Sequence, residues 1–390
     1  MIPIHYNVRS LFVRKATTIA TVLGVGLVVF VLATSQMLAN GISRTMGRSG
    51  ALDRAFVLRQ GADAELSSSL ESRLVGLVKA TPGVKKGPDG APLGVGELAV
   101  VIALDLADRP EQVSNVLVRG TAIEDVFRFR ADARITEGRA PKPGTNEVVI
   151  GRGLVGRFRG LGVGATFELN KNRPAQVVGV FDASGSSFES EIWVDIDTAR
   201  AAFGRPALVS SITVALDSAA AYDGVKATIE QDKQLGLQVT RESEYYEKQS
   251  EGTRDFVTGM GAAIVFFFSV GAMIGAMITM YAAVANRGRE IGTLRALGFS
   301  RAQVLLSFVI EAGLLTLLGG VVGVVASLGM TFVKFSMMNF QTWSQVTFGF
   351  EPTPTILASA LAAGGLMGLI GGLLPAIHAA RLSPLAAMRD

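Results

Sequence analysis

Four long apolar stretches divide the chain. Residues 16–39, 256–285, 302–333 and 354–374 consist almost entirely of apolar and small residues, and only the third contains a charge, Glu311. About 20 apolar residues in a helix are enough to cross a hydrocarbon core of roughly 30 Å. The pattern therefore predicts four transmembrane helices.

The polar region between the first two spans, residues 40–251, alternates short β-rich runs with helical ones. We predict an extracytoplasmic α+β domain with a small β-rich subdomain at about 130–216. The predicted strands are Glu97–Leu106, Asn115–Arg119, Val148–Ile150, Thr166–Leu169, Gln176–Val180, Glu191–Val194 and Ser211–Leu216. The predicted helices are Leu66–Ala80 and Ala219–Gln231.

Two shorter segments complete the predicted organisation. No helix breaker precedes Gly252 in residues 242–285, so we expect a stalk helix that continues from the outer domain into the second span. Residues 334–353 are left as a short outer loop. The loop is rich in aromatic residues, as interfacial belts are: Phe335, Phe340, Trp343, Phe348 and Phe350.

Charge fixes the predicted orientation. Lys and Arg outnumber Asp and Glu in three segments: the amphipathic N-terminal segment 1–15, the loop 286–301 and the tail 375–390. In residues 40–255 the basic and acidic residues are close to balance. Cytoplasmic loops carry such an excess. We therefore predict cytoplasmic N- and C-termini and a periplasmic domain. The net charge of +4 is juxtamembrane, which argues against nucleic acid as a partner.

The residues that catalysis commonly needs are scarce. The chain has no cysteine, its two histidines are His5 and His378, and it contains no GxxxxGK[ST] phosphate-binding motif. We predict no catalytic, cofactor-binding or metal site in this chain, and no enzymatic activity of its own.

The loop NRGREIGTLRALGFSRAQVL, which begins at Asn286, is the most informative stretch. Ile291, Leu294 and Leu297 recur at helical spacing, Gly298 can end that helix and Ser300 can cap the next one. Two interpretations are open: a basic surface helix that only fixes topology, or a coupling helix whose apolar stripe docks on a cytoplasmic partner.

The same loop resembles that of permease subunits of the MacB/LolC–LolE/FtsX superfamily, the type VII ABC transporters. IEAGLLTLLGG from Ile310, the C-terminal LLPAIHAARLSPLAAMR and the outer segments NEVVIG, VVGVF and SEIWVD resemble the same family. The resemblance assigns ATPase coupling to Arg287, Arg289, Glu290, Ile291, Leu294, Arg295, Ala296, Leu297 and Gly298; Gly292 belongs to the same motif.

The resemblance also implies partners and a place in the cell. It implies a multi-pass protein of the bacterial inner membrane, paired with a second permease copy or a paralogue. It further implies two copies of a separate cytoplasmic ABC ATPase, which binds ATP and Mg²⁺, and mechanotransmission to the outer domains.

Several functions fit this class. The chain could serve efflux with a periplasmic adaptor, extract lipids or lipoproteins, or regulate a cell-wall hydrolase as FtsX-like proteins do. The large outer domain favours the first two. A rival of another class is a membrane-anchored sensor or scaffold without an ATPase. A membrane-bound hydrolase is disfavoured because the outer segment has no histidine.

Within the spans, one acid and several glycines stand out. We favour an interhelical hydrogen bond for Glu311 over a role in coupling. Glycines spaced four residues apart predict close helix packing, within the chain or at a dimer seam along the first and second spans: Gly271, Gly275, Gly319, Gly323, Gly364, Gly368 and Gly372.

Overall fold

The computed structural model describes residues 15–381. Most of the predicted amphipathic segment 1–15 and the end of the predicted tail 375–390 therefore lie outside the described residues. The chain divides into two compact units. A helical unit contains residues 1–41, 255–333 and 349–390, and a mixed α/β unit contains residues 42–254 and 334–348.

The helical unit consists mostly of helices, and the mixed unit contains four shorter helices. They are α1 (Lys15–Gly47), α2 (Arg73–Lys79), α3 (Ile123–Phe129), α4 (Ile196–Phe203), α5 (Tyr222–Gln231), α6 (Glu242–Asn286), α7 (Gly288–Ala296), α8 (Arg301–Leu328) and α9 (Pro354–Arg381). Among residues 15–381, four helices are long and apolar enough to cross a membrane, namely α1, α6, α8 with the turn that follows it, and α9. Each corresponds to one predicted span, so the predicted fold class is confirmed.

Glycines allow α1, α8 and α9 to approach closely. A Cβ added to Gly364 would lie 2.6 Å from Val29, and one added to Gly319 would lie 2.9 Å from the carbonyl oxygen of Val22. Three further glycines of the predicted set are equally crowded by neighbouring helices of the same chain: Gly323, Gly368 and Gly372. A side chain at any of these five positions would push two helices apart.

Gly271 and Gly275 on α6 behave differently. A Cβ added at either would meet no atom within 4 Å. Packing among the described residues therefore gives no reason for glycine at these two positions.

Fourteen strands lie between residues 15 and 381. They are β1 (Arg54–Arg59), β2 (Leu70–Glu71), β3 (Gly94–Asp105), β4 (Val113–Thr121), β5 (Arg134–Gly138), β6 (Glu147–Gly151), β7 (Thr166–Asn170), β8 (Arg173–Asp182), β9 (Glu191–Asp195), β10 (Leu208–Val209), β11 (Ser211–Ala215), β12 (Leu237–Arg241), β13 (Lys334–Met338) and β14 (Gln345–Gly349). Ten form one sheet in the order β12-β1-β11-β3-β4-β9-β6-β8-β5, with β7 paired to β8. The pairs β4–β9 and β6–β8 are parallel, and the other pairs of this sheet are antiparallel.

This sheet carries two separate apolar cores. One is formed by β3, β4 and β6–β9 with α4, and contains Leu98, Ile150 and Ala199. The other is formed by β1, β11 and β12 under α2 and α5, and contains Leu74 and Val225. The β-rich half therefore differs in extent from the predicted segment 130–216, because β3 and β4 belong to it and β11 does not.

Residues 334–353, predicted as a short outer loop, contain the hairpin β13–β14. Arg157 donates from both terminal nitrogens, to Thr347 Oγ1 and Gln345 Oε1, at 2.6 Å each.

The predicted aromatic belt is divided. Phe348 and Phe350 are buried, so only the other three aromatic residues, Phe335, Phe340 and Trp343, are exposed enough for an interface.

Arg119 on β4 lies at the centre of a buried ionic cluster. Its guanidinium reaches Glu65 (Nη1–Oε1, 2.7 Å), Glu191 (Nε–Oε2, 2.7 Å) and Glu97 (Nη1–Oε2, 3.2 Å). All four side chains are at most 6% exposed. A charge in such a place persists only when it is paired and hydrogen-bonded.

The cluster extends to the first residue of α6. Arg130 contacts Glu97 at 3.4 Å and Glu242 at 2.8 Å, and Arg54 contacts Glu242 at 3.3 Å. The Ala51 N–H also donates to Glu242. We call these seven ionic side chains the arginine–glutamate cluster: Arg54, Arg119, Arg130, Glu65, Glu97, Glu191 and Glu242. It fastens the beginning of α6 to the sheet.

Four carboxylates face three guanidinium groups in this cluster. Burial raises the pKa of Glu191, although Arg119 lowers it. Burial also acts to raise the pKa of Glu65, but the charge and hydrogen bonds of Arg119, helped by Ser211, bring it below its ordinary value. Of these two carboxyl groups, Glu191 takes up a proton more readily.

We therefore expect Glu191→Gln to be tolerated better than Glu65→Gln. Glutamine mimics a protonated Glu191, whereas at Glu65 it removes an ionised partner of Arg119 and should cost about 1–3 kcal/mol. Chemical unfolding of the full chain in detergent, followed by tryptophan fluorescence, measures both. Equal losses for the two variants would show that the carboxyl groups are equivalent.

The same pair of variants gives a signed pH dependence. A carboxyl group whose folded pKa is raised loses its stabilising contribution as the pH rises through that pKa. Above the ordinary pKa of a carboxyl group, the unfolding free energy of Glu191→Gln should therefore increase relative to that of the parent as the pH rises. The contribution of Glu65, whose folded pKa is lowered, is instead present above the ordinary pKa and is lost on acidification.

Candidate functional site: the loop between the second and third spans

The loop between α6 and α8 is a short helix held between two turns. Helix α6 ends at Asn286, α7 begins at Gly288, and Gly298 has a φ of 93°, which favours glycine. Ser300 caps α8: its Oγ accepts from Gln303 N, and Gln303 Oε1 accepts from Ser300 N. The predicted break and the predicted cap are both present.

The inner face of α7 packs on the helical unit. Ile291 is 3% exposed and shares an apolar cluster with Met280, Val304 and Phe308, which come from α6 and α8. Gly292 beside it is also buried. Ile291, which is in the set assigned to ATPase coupling, and its neighbour Gly292 therefore hold α7 in place rather than presenting a surface.

Arg287 gives the inner face its polar anchor. Its Nη1 lies 2.8 Å from Glu311 Oε2, and both side chains are less than 10% exposed. Its Nε lies 3.3 Å from Glu290 Oε2. The single acid of the third span is thus the partner of an arginine at the end of the second. The interaction is the kind of hydrogen bond that we favoured for Glu311, and because both groups are charged it is also an ion pair.

The outer face of α7 and the turn after it remain accessible. Arg289, Glu290, Ala296, Leu297 and Gly298 are exposed. Leu297 alone contributes a large apolar side chain that is 73% exposed. A protruding leucine beside charged residues is the arrangement expected of an anchor for a complementary groove.

The last two residues of the assigned set are intermediate. Leu294 and Arg295 are half-buried. Arg295 Nη1 donates to the Phe299 carbonyl at 3.2 Å, so this side chain fastens the turn that follows α7. The motif thus contains both anchoring and surface residues, a division that sequence spacing alone did not give.

A groove between α1 and α6 is the second candidate surface. The helices meet where Thr21 Oγ1 lies 3.1 Å from Thr279 Oγ1. Beside this contact is a cavity of about 300 Å³, lined by Gly24, Gly271, Gly275 and apolar neighbours. The two glycines without an intrachain neighbour therefore lie along an open apolar groove.

Groups that could hold a metal do not occur among residues 15–381. His378 packs edge-on against Tyr281, with ring centroids 5.7 Å apart, and His5 lies outside the described residues. That the chain lacks catalytic, cofactor and metal sites stays a prediction.

Four spanning helices, a large mixed domain after the first span and an anchored short helix between the second and third define a multi-pass membrane permease. Residues 16–232 match the MacB-like periplasmic core domain, and residues 262–384 match the FtsX-like permease C-terminal domain. The chain therefore belongs to the MacB/FtsX superfamily of ABC transporter permeases, which confirms the resemblance seen in the sequence.

Similar full-length proteins bear the name macrolide export ATP-binding/permease protein MacB. Identity is 29% over 225 residues with that of Brucella abortus (55% of this chain, 33% of the relative) and 32% over 225 residues with that of Burkholderia thailandensis (56% and 33%). In Aeromonas hydrophila it is 30% over 263 residues (62% and 38%). The chain thus spans about one third of the length of these curated relatives.

Two solved structures are similar to part of the chain. The periplasmic region of MacB from Actinobacillus actinomycetemcomitans has a TM-score of 0.38 at 12% identity, covering 52% of this chain and 94% of that one. The extracellular domain of YknZ from Gram-positive bacteria has a TM-score of 0.37 at 17% identity, covering 48% and 100%.

We expect the Arg287–Glu311 pair to behave as one unit. Arg287→Met leaves Glu311 buried without this partner and should cost about 3–5 kcal/mol, whereas Arg287→Met with Glu311→Met should recover most of the loss. Thermal unfolding of the purified chain in detergent tests the cycle. Additive losses in the double variant would contradict the pairing. Arg289→Met, on the exposed face, is the matched control and should be near neutral.

Proposed function

We propose that this chain is the transmembrane subunit of a bacterial ABC transporter. It couples ATP hydrolysis by a separate cytoplasmic ATPase to movement of its extracytoplasmic domain, without being an enzyme itself. The observation that carries this proposal is the division of α7. Ile291 and Arg287 fasten the helix to the spans, while Leu297, Arg289 and Glu290 face outward. A helix that only fixed topology would need neither anchor.

Charge supports the orientation of the proposal. The loop that contains α7 has four arginines against one acid, Glu290. Loops with such an excess of basic residues stay in the cytoplasm. The exposed face of α7 is then available to an ATPase, the termini are cytoplasmic, and the mixed α/β unit lies in the periplasm of an inner-membrane protein.

Helix α6 supports a mechanical coupling. It runs without interruption over 45 residues, from Glu242 in the arginine–glutamate cluster to Asn286 next to α7. A continuous helix can carry a displacement along its length, which a flexible linker cannot. The route we propose leads from the ATPase through α7 and α6 to the periplasmic domain.

Pairing with a second permease copy is supported by the groove between α1 and α6. Helix α6 is the least buried of the four spans, with 11% of its apolar window covered, whereas the third span has 44% covered. Small residues at an open groove allow close approach of another helix. We place a dimer seam there, formed with a second copy or a paralogue.

The work done outside the membrane is efflux or extraction of lipids or lipoproteins. The match of residues 16–232 to a MacB-like periplasmic core supports this branch, and relatives named for macrolide export belong to it. A periplasmic adaptor or lipoprotein is then the outer partner. An FtsX-like regulator of a cell-wall hydrolase is the alternative within the class, and a sensor without an ATPase is the alternative outside it.

Leu297→Ala tests the coupling face. If Leu297 anchors the ATPase, its truncation should cost at least about 2 kcal/mol, and recovery of the ATPase with the tagged chain should fall more than about tenfold. Leu317→Ala, at an exposed leucine of the third span, is the matched control and should leave recovery unchanged. The measurement is affinity purification from mild detergent with a vanadate-sensitive ATPase assay.

Two results would count against this reading. Recovery that is equal for Leu297→Ala and the parent would remove α7 as the docking site. A parent chain that is repeatedly purified without any P-loop ATPase would favour the sensor.

Single-cysteine cross-linking tests the dimer seam, because the chain contains no cysteine of its own. Gly275→Cys should form a disulfide between two copies in membranes under mild oxidation, since a Cβ there meets no atom within 4 Å among residues 15–381. Leu369→Cys, exposed on α9, is the control and should stay monomeric. Cross-linking at Leu369 but not at Gly275 would move the seam to another helix.

A further inference from the structure

One edge of strand β3 is covered by another strand over only part of its length, as far as the described residues show. Its first residues, 94–97, pair with β11, and residues 98–105 pair with β4. Beyond residue 97 the side opposite β4 has no strand partner among the described residues. The uncovered length is that of an ordinary strand in a globular protein.

The main-chain groups along this edge can be assigned. The Ala99 N–H has no hydrogen-bond partner on β4; it donates to Ser210 Oγ at 3.1 Å on the other side. Asp105 O accepts from Arg159 N at 2.9 Å, also away from β4. Because alternate residues of a strand point the same way, Val101 and Ala103 direct their N–H and C=O groups to the uncovered edge. They have no hydrogen-bond partner there within residues 15–381.

This edge faces a cleft rather than open surface. Residues 100–105 form one wall, and residues 166–171, which include β7, form the other. The cleft has a volume of about 700 Å³, within the range of ligand sites. Arg159, whose N–H donates to the Asp105 carbonyl, and Phe203 of α4 also lie in the lining.

The composition of the edge is unusual for an exposed strand. Residues 100–104 read VVIAL, with no charge and no proline. Natural proteins protect exposed edges with charged residues, prolines or bulges, because an unprotected edge pairs with other chains. Here Ile102 and Val100 pack partly against the β-rich core, while Val101 is half-buried and Ala103 is exposed.

We propose that this cleft receives an extended segment of an extracytoplasmic partner protein, which adds to β3 as a strand. Unpaired donors and acceptors that repeat every second residue match another extended backbone. Two acidic side chains, Asp105 and Glu168, and two basic ones, Arg159 and Lys171, surround the cleft, so the segment should be uncharged, with apolar residues at alternate positions.

Hydrogen exchange of the full chain in nanodiscs tests strand addition. The ligand is a synthetic peptide of about six residues that alternates threonine and valine. At about 1 mM and with a Kd of about 0.1 mM, it should slow exchange in segment 98–106 about tenfold. The same peptide with methylated backbone nitrogens has nearly the same side chains but cannot donate, and should give no protection.

The outcomes separate the alternatives. Protection by both peptides would mean that side chains, not the backbone, are recognised, and would overturn the proposal. No protection by either would overturn it as well. Ala103→Pro removes the outward N–H at an edge position that tolerates proline and should abolish protection, while Ala103→Ser keeps that donor and should preserve it. The peptide comparison remains decisive if Ala103→Pro does not fold.

Discussion

The mixed α/β unit depends on two buried arginines that must remain charged and paired. Arg119 and Arg130 are each 1% exposed, and their partners come from β3, β9, the segment before β2 and the first turn of α6. Removing one member of such a network leaves the others uncompensated, although a well-packed apolar core could be equally stable. The network joins the beginning of α6 to β3, β4 and β9, because these elements supply its paired charges.

Helix α7 is also held by a buried ionic interaction, but by a single ion pair instead of a cluster. The Arg287–Glu311 pair joins the end of α6 to the interior of α8, and Ile291 fills the space beside it. A loop held by one buried ion pair and one apolar side chain can move as a body with the helices that hold it. Its exposed residues are then free to be selected for a partner, because they are not needed for packing.

The spans, the cap at Ser300 and the break at Gly298 were predictable from sequence because their causes are local: hydrophobic length, a side-chain cap and a left-handed φ. The sheet order was not, since β1 pairs with β11 across more than 150 residues and no periodicity encodes that partner. The ion pairs were not predicted from the sequence either. The available signal was a single charge inside an apolar strand, such as Glu97 in ELAVVIAL and Arg119 in VLVRG, which indicates that two strands share a buried ionic network. The hairpin β13–β14 was missed because a stretch of aromatic residues between two spans resembles an interfacial belt.

That hairpin has a consequence for how the protein is made. The mixed α/β unit consists of residues 42–254 and 334–348, so the second and third spans are synthesised between its two parts. Arg157 and Ser190 hold side-chain and backbone groups of Thr347, which does not leave the ribosome until both spans have been translated. The periplasmic domain can begin to fold early, but it is completed only after the third span has delivered the hairpin. Membrane insertion is therefore a step on the folding pathway of the soluble part, and a chain stalled before the third span would display an unfinished domain to the quality-control proteases of its compartment.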